Sequence, residues 1–137
     1  MHNKKRMGWV AAIVLMALPA VVQCAQAETK KSADAKTLAR GKYMVQTGHC
    51  NNCHTPDYIR KEGNMPEAQW LVGSAPLGFR GAWGTTYASN LRLTVAKFSR
   101  QQWVKYVKEV KTRPPMPWWT LHVTTDADLG AIAQRVA

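Results

Sequence analysis

Apolar side chains change their spacing several times along this 137-residue chain, and each change marks a different element. From Gly8 to Val22 the sequence is mostly apolar, behind the basic start Lys4-Lys5-Arg6. Residues 33–47 (ADAKTLARGKYMVQT) hold good helix formers and set Leu38, Met44 and Val45, with Tyr43, toward one side. This predicts a first helix, although Gly41 costs some propensity. From Thr55 to Lys97 neither a helical nor a strand period is sustained, and Gly, Pro, Asn and isolated aromatics dominate. That predicts a long, mostly irregular loop, a feature compact domains keep chiefly where it serves a function. Ser99-Arg100-Gln101-Gln102 then fits a capping box, and Trp103, Tyr106, Val107 and Val110 follow at helical spacing. This helix is expected to run to about Thr112, because Pro114 and Pro115 forbid its continuation. A last helix is expected from near Thr125, with Asp126 and Asp128 favourable in its first turn and Leu129, Ile132, Ala133 and Val136 as its apolar stripe. The expected fold class is all-α, with about three to four helices and one long irregular loop.

The first 27 residues read as a secretory signal, since a basic start and an apolar stretch lead to Ala25-Gln26-Ala27, small residues that a signal peptidase accepts. Pro19 and Gln23 interrupt the stretch, which falls short of the roughly 20 apolar residues of a stable membrane span. Cleavage after Ala27 is the expectation, with an uncleaved membrane anchor as the alternative. Lipidation at Cys24 is disfavoured by Gln23, where a small side chain belongs. Residues 28–137 then make one domain in the periplasm, small enough that a cofactor would add usefully to its core. Of the 19 Lys and Arg, three leave with the signal, so 16 bases face 8 acids and the charge is +8. That balance suits anionic partners or simply a solvated surface. No nucleic-acid-binding motif is present, and an exported chain has little occasion to meet nucleic acid.

Without Cys24, the remaining cysteines are Cys50 and Cys53, and His54 follows at once. A disulfide at this spacing closes a tiny loop and constrains little. On one turn of helix, positions i, i+3 and i+4 share a face, so a single surface can meet all three side chains. Two thiols can form thioethers with the two haem vinyl groups while the His54 imidazole ligates iron from below. The alternatives are weaker. Structural zinc wants four ligands, and only His49 and His122 remain to supplement the motif. A thioredoxin-like pair wants an α/β setting, and none precedes Cys50. His49 reads as a solvent-side neighbour of the motif.

For the sixth ligand of a covalent haem c, Met116 is the leading candidate. It sits in Pro114-Pro115-Met116-Pro117-Trp118, where prolines leave the backbone few states to lose on ordering. A thioether favours reduced iron and raises its potential. The competing reading of Met116 is a gap-filling core residue. Met65, also followed by proline, is within reach but lies beside the solvated run Lys61-Glu62-Gly63-Asn64, and His122 or an open site completes the alternatives. Met44 reads as core. Trp83, Trp118 and Trp119 are expected to pack against the macrocycle or core, and Lys97, Arg100, Lys105, Lys108 and Lys111 form either a docking face or a solvated helix surface.

Arg40-Gly41-Lys42-Tyr43 leading into Gly48-His49-Cys50-Asn51-Asn52-Cys53-His54-Thr55, WGTTYASN from Trp83 to Asn90, FSRQQW from Phe98 to Trp103, and PPMPWW from Pro114 to Trp119 together resemble one haem domain of the bacterial class I cytochromes c. The subgroup resembled most supplies cytochrome subunits to periplasmic dehydrogenases of alcohols, sugars and sugar acids. The resemblance implies the cytochrome c fold, Cys50 and Cys53 as haem-linking, His54 and Met116 as axial ligands, and Gly41 with Tyr43 as the first helix's contact with the last. One departure stands out: such domains bring an aromatic residue of the final helix against that glycine, and the position here is Arg135. Those dehydrogenases also often use several haem domains in one chain, whereas this chain has one motif. The implied function is electron transfer without catalysis. Single electrons would pass between a dehydrogenase or quinol-oxidising complex and a terminal acceptor, through redox partner proteins with acidic docking faces. The alternative is a haem enzyme, or a gas or redox sensor, with an open sixth coordination site.

Overall fold

The computed structural model describes residues 34–137, of which residues 37–137 form one compact unit. The expected signal segment lies outside the described residues. Helix α1 covers residues 34–47, and its buried strip is the i, i+4 pair Gly41 and Val45, with Met44 half-buried beside it. Leu38 and Tyr43, expected on that side, stay 38% and 54% exposed. The strip is narrow because the crossing with the last helix is close. A Cβ on Gly41 would collide with the Ala131 carbonyl and come within 2.7 Å of Arg135 Cβ, so the two backbones touch where only glycine fits. Gly41 therefore makes the contact with the last helix that the resemblance implied.

Gly48 and His49 form a turn, His49 taking a left-handed φ of 55°, and helix α2 (Cys50–His54) follows. The long segment after Thr55 carries more order than its sequence predicts. It holds a 3-10 turn (Glu67–Gln69), an antiparallel hairpin of β1 (Phe79–Gly81) and β2 (Gly84–Thr86), and helix α3 (Leu91–Val95). In the hairpin Phe79 pairs with Thr86, Arg80 with Thr85 and Gly81 with Gly84. Asn90 caps α3, its side chain accepting from the Leu93 amide at 3.0 Å.

Helix α4 (Arg100–Glu109) starts at the expected capping box, with Ser99 and Gln102 each bonding the other's backbone. It ends about a turn early, since Val110 is already extended. A further short helix, α5 (Trp118–Val123), was not expected, and α6 (Asp126–Val136) begins where predicted, with Thr125 accepting from the Asp128 amide at 3.2 Å. The α4 helix packs against α5 and α6, and α3 packs against α6. Val45, Trp70, Leu71, Val95, Trp103, Val107, Leu129, Ile132, Ala133 and Val136 make the core, and Trp103 donates its indole N–H to the Leu129 carbonyl at 3.1 Å. All four residues of the predicted α6 stripe are in it. Arg135, standing where the resemblance would put an aromatic, pairs with Glu67, which Lys42 of α1 also reaches. An ion-pair bridge thus joins both helices to the 3-10 turn. Among the described residues the fold is mostly α with one small sheet, and no helix is long and apolar enough to cross a membrane.

Candidate cofactor site

Helix α2 brings three of the predicted site residues together. Cys50, Cys53 and His54 occupy positions i, i+3 and i+4 of its short span, both cysteines are free thiols of intermediate exposure, and His54 is only 6% exposed. Burial pushes the Cys50 thiol up to about 11, with a local backbone hydrogen bond opposing the rise and Cys53 adding to it. Burial raises Cys53 as well. A dithiol built for exchange lowers the pKa of its attacking cysteine, the direction opposite to the one burial gives here.

The imidazole is held from a distant part of the chain. His54 Nδ1 lies 2.7 Å from the Ser89 carbonyl oxygen. A carbonyl only accepts, so Nδ1 carries the proton and Nε2 keeps its lone pair. Burial lowers the His54 pKa, the Ser89 bond opposing it, and the ring is neutral at pH 7. A buried neutral imidazole whose second nitrogen is anchored on a backbone carbonyl is in the state that metal-ligating histidines adopt.

The rest of α2 is tied down by backbone. Gly73 N–H donates to the His54 carbonyl at 2.8 Å, Ser74 N–H to the Ala88 carbonyl at 3.0 Å, and Leu91 N–H to the Leu71 carbonyl at 2.9 Å. Segment 71–74 is therefore laced both to α2 and to the stretch that carries Ser89. Gly73 takes φ +98°, and a Cβ there would lie 3.1 Å from the Asn90 nitrogen and 3.2 Å from the Ala88 oxygen, so a side chain would wedge the two strands apart. On the strip of α2 adjoining the cysteines, buried Thr55 donates to Asn51 Oδ1 at 2.7 Å and accepts from the Leu71 amide at 2.8 Å. Asn51 is 1% exposed and its Nδ2 has no partner.

The remaining candidates lie elsewhere. Met116 is half-buried in the segment between α4 and α5, and its carbonyl accepts from the Trp118 amide at 2.9 Å. Among the described residues no hydrogen bond, ion pair or ring contact joins this segment to α2. Met65, beside the largely exposed run 61–64, packs against the core, its carbonyl accepting the Trp70 indole N–H at 3.1 Å. Met44 packs there too, as expected. His122 donates Nε2–H to the Val110 carbonyl at 2.9 Å, and His49 is exposed. Trp83 and Trp119 are 40% and 56% exposed and Trp118 is half-buried, so the buried tryptophans are instead Trp70 and Trp103. Of the basic residues, Lys108 pairs with Asp126 at 3.2 Å and Lys111 lies 5.8 Å over the Trp118 ring, while Lys97 and Lys105 are exposed. Arg100 lies against Gly130.

No group of three or more His, Cys, Asp and Glu side chains among the described residues could hold a metal ion. A cleft of about 310 Å³ beside Glu67, Arg92 and Arg135, and one of about 730 Å³ along α4, do not include α2. A c-type haem asks instead for two thiols and one neutral imidazole on a common face, and α2 supplies that set. The Ser89 carbonyl and the Asn51–Thr55–Leu71 chain were missed by sequence reasoning. A backbone acceptor leaves no mark on residue type, although Ser89 sits inside the WGTTYASN block and Asn51 inside the cysteine motif. No protein-family model matches this chain, and neither the curated proteins nor the solved structures contain a match to it.

Proposed function

We propose that this protein is a periplasmic electron carrier with one covalently attached haem c. The observation that carries the reading is the His54 ring: buried, neutral, protonated on Nδ1 by its bond to Ser89, and set on the same turn of helix as Cys50 and Cys53. Cys50 and Cys53 would hold the macrocycle through thioethers, and His54 would ligate its iron. Met116 is the proposed second axial ligand, supported by its half-buried place on a proline-fixed segment. When bound, the group supplies one-electron redox chemistry. The chain's own part is to fix the imidazole, exclude water from it and present a basic surface to acidic redox partners. The resemblance to class I cytochromes c supports the same reading and points to a dehydrogenase or quinol-oxidising complex as electron donor.

Expression in a host equipped for covalent haem attachment tests this. Acid acetone is expected to leave the colour on the polypeptide, whose mass should equal the chain from Glu28 plus one haem. C50A or C53A should weaken attachment and the double variant abolish it. M116A should lose the weak far-red band of thioether-ligated ferric haem and bind carbon monoxide quickly when reduced. Colour extracted wholly into the solvent would end the haem c reading, while a wild type that lacks the far-red band and binds carbon monoxide as fast as M116A is the open-site enzyme or sensor.

A further inference from the structure

The segment that carries Met116 is closed at its base by polar and ring contacts besides the packing of Leu121 on the core. Val110 ends α4, and the last carbonyls of a helix have no partner within it. His122, on α5, fills one of these by donating Nε2–H to the Val110 carbonyl at 2.9 Å. From the same helix end, Lys108 reaches toward the His122 carbonyl at 3.5 Å while pairing with Asp126 at 3.2 Å. Trp118 lies against the His122 ring at 5.0 Å between centroids, and Lys111 covers the Trp118 ring at 5.8 Å. Residues 111–117 thus span two ends held together across the His122–Val110 bond, with Trp118 against the imidazole. Met116 lies among them, its carbonyl fixed by the Trp118 amide.

We infer that His122 is a positioning residue for Met116, a clasp that holds the methionine loop in its ligating conformation; this rests on the haem reading above. The physical basis is loop order. A thioether is a weak ligand, so the fraction of time its sulfur stays on iron depends on how few states its loop can visit. One hydrogen bond across the base removes many of them, and loss of that bond raises the sulfur-off population roughly fivefold.

The test uses the haem-loaded full chain and imidazole as an external probe, which binds ferric iron only when Met116 has left. H122F keeps a ring against Trp118 and removes the donor; H122Q keeps an N–H donor. Imidazole should bind H122F roughly fivefold more tightly than wild type, with an earlier thermal loss of the far-red band, and H122Q should stay within about twofold of wild type. In an M116A background the effect must vanish, so that M116A and H122F/M116A bind imidazole alike. If H122F fails to accumulate, H122A and H122Q carry the same comparison. Wild type and M116A that bind imidazole equally would overturn the Met116 assignment itself. Where those two differ but H122F behaves as wild type, or its gain persists without Met116, only the clasp is overturned.

Discussion

Gly41 and Asp128 show how single residues set the meeting of α1 with α6. At Gly41 the cost of any side chain is steric, because Ala131 backbone and Arg135 Cβ occupy the space a Cβ needs. G41A should therefore destabilise the protein by about 1–3 kcal/mol despite alanine's better helix propensity, as overpacked sites do. Urea denaturation checks this, and a variant as stable as wild type would mean the helices separate freely. Asp128 acts through charge. Arg40 Nε and Nη2 donate to its two carboxylate oxygens at 2.7 and 3.1 Å, and this hydrogen bond is the main cause that holds the carboxyl below its ordinary 3.8. A carboxylate depressed in the folded state stabilises the fold fully above its unfolded pKa, and the contribution is lost as pH falls through the folded value. D128N should then be less stable than wild type from neutral pH down to about pH 5, the gap closing in more acid solution. An undiminished gap at about pH 2 would assign the loss to packing instead.

At the scale of elements, local chemistry decides which segments announce themselves. The start of α4 is written in Ser99 and Gln102, which bond reciprocally as their spacing predicts, and S99A should cost about 1 kcal/mol, read as a shift in the thermal midpoint. An unchanged midpoint would mean that water satisfies the first-turn amides as well as Ser99 does. Its end is less legible. Pro114 has no N–H to offer the Val110 carbonyl four residues back, and the helix stops at Glu109, leaving that carbonyl to His122 from outside, a partner that sequence spacing does not encode. Helix α5 went unforeseen because Pro117 precedes it without a side-chain cap and its six residues leave too few turns for an apolar period to show. The hairpin hid because its two-residue connection is Ala82-Trp83 and not an Asn-Gly or Asp-Gly pair, leaving a short run of glycines with no alternation. The site divides the same way. That Cys50, Cys53 and His54 share one helical turn was legible from spacing, whereas the lacing of 71–74 and 88–91 around α2 is made by backbone groups and by Gly73, which any sequence of similar composition could conceal.

At the scale of the molecule, several large apolar side chains among the described residues stand exposed. Ile59, Leu77, Tyr87, Leu93 and Val123 are 66%, 60%, 58%, 65% and 84% exposed, and Val72 is 39% exposed. Single exposed apolar residues are ordinary, but contiguous ones mark a binding surface. Two of these stand on irregular segments laced to α2: Val72 lies between Leu71 and Gly73, and Tyr87 precedes Ala88, and Leu71, Gly73 and Ala88 bond within that network. Under the haem reading proposed above, a macrocycle held on Cys50, Cys53 and His54 would cover apolar side chains on these segments. Haem attachment should then hide this surface as well as add colour. The C50S/C53S chain, which cannot form the thioethers, is expected to bind a hydrophobic fluorescent dye of the ANS type at neutral pH, and the haem-loaded wild type to bind far less. Circular dichroism of both forms keeps the comparison fair, because a partly unfolded apo chain binds such dyes for another reason. V72S/Y87S in the C50S/C53S background then separates local exposure from loosened packing. A drop in dye binding with helix content preserved places the surface at α2, and equal dye binding by loaded and unloaded chains would show that these side chains serve a different partner.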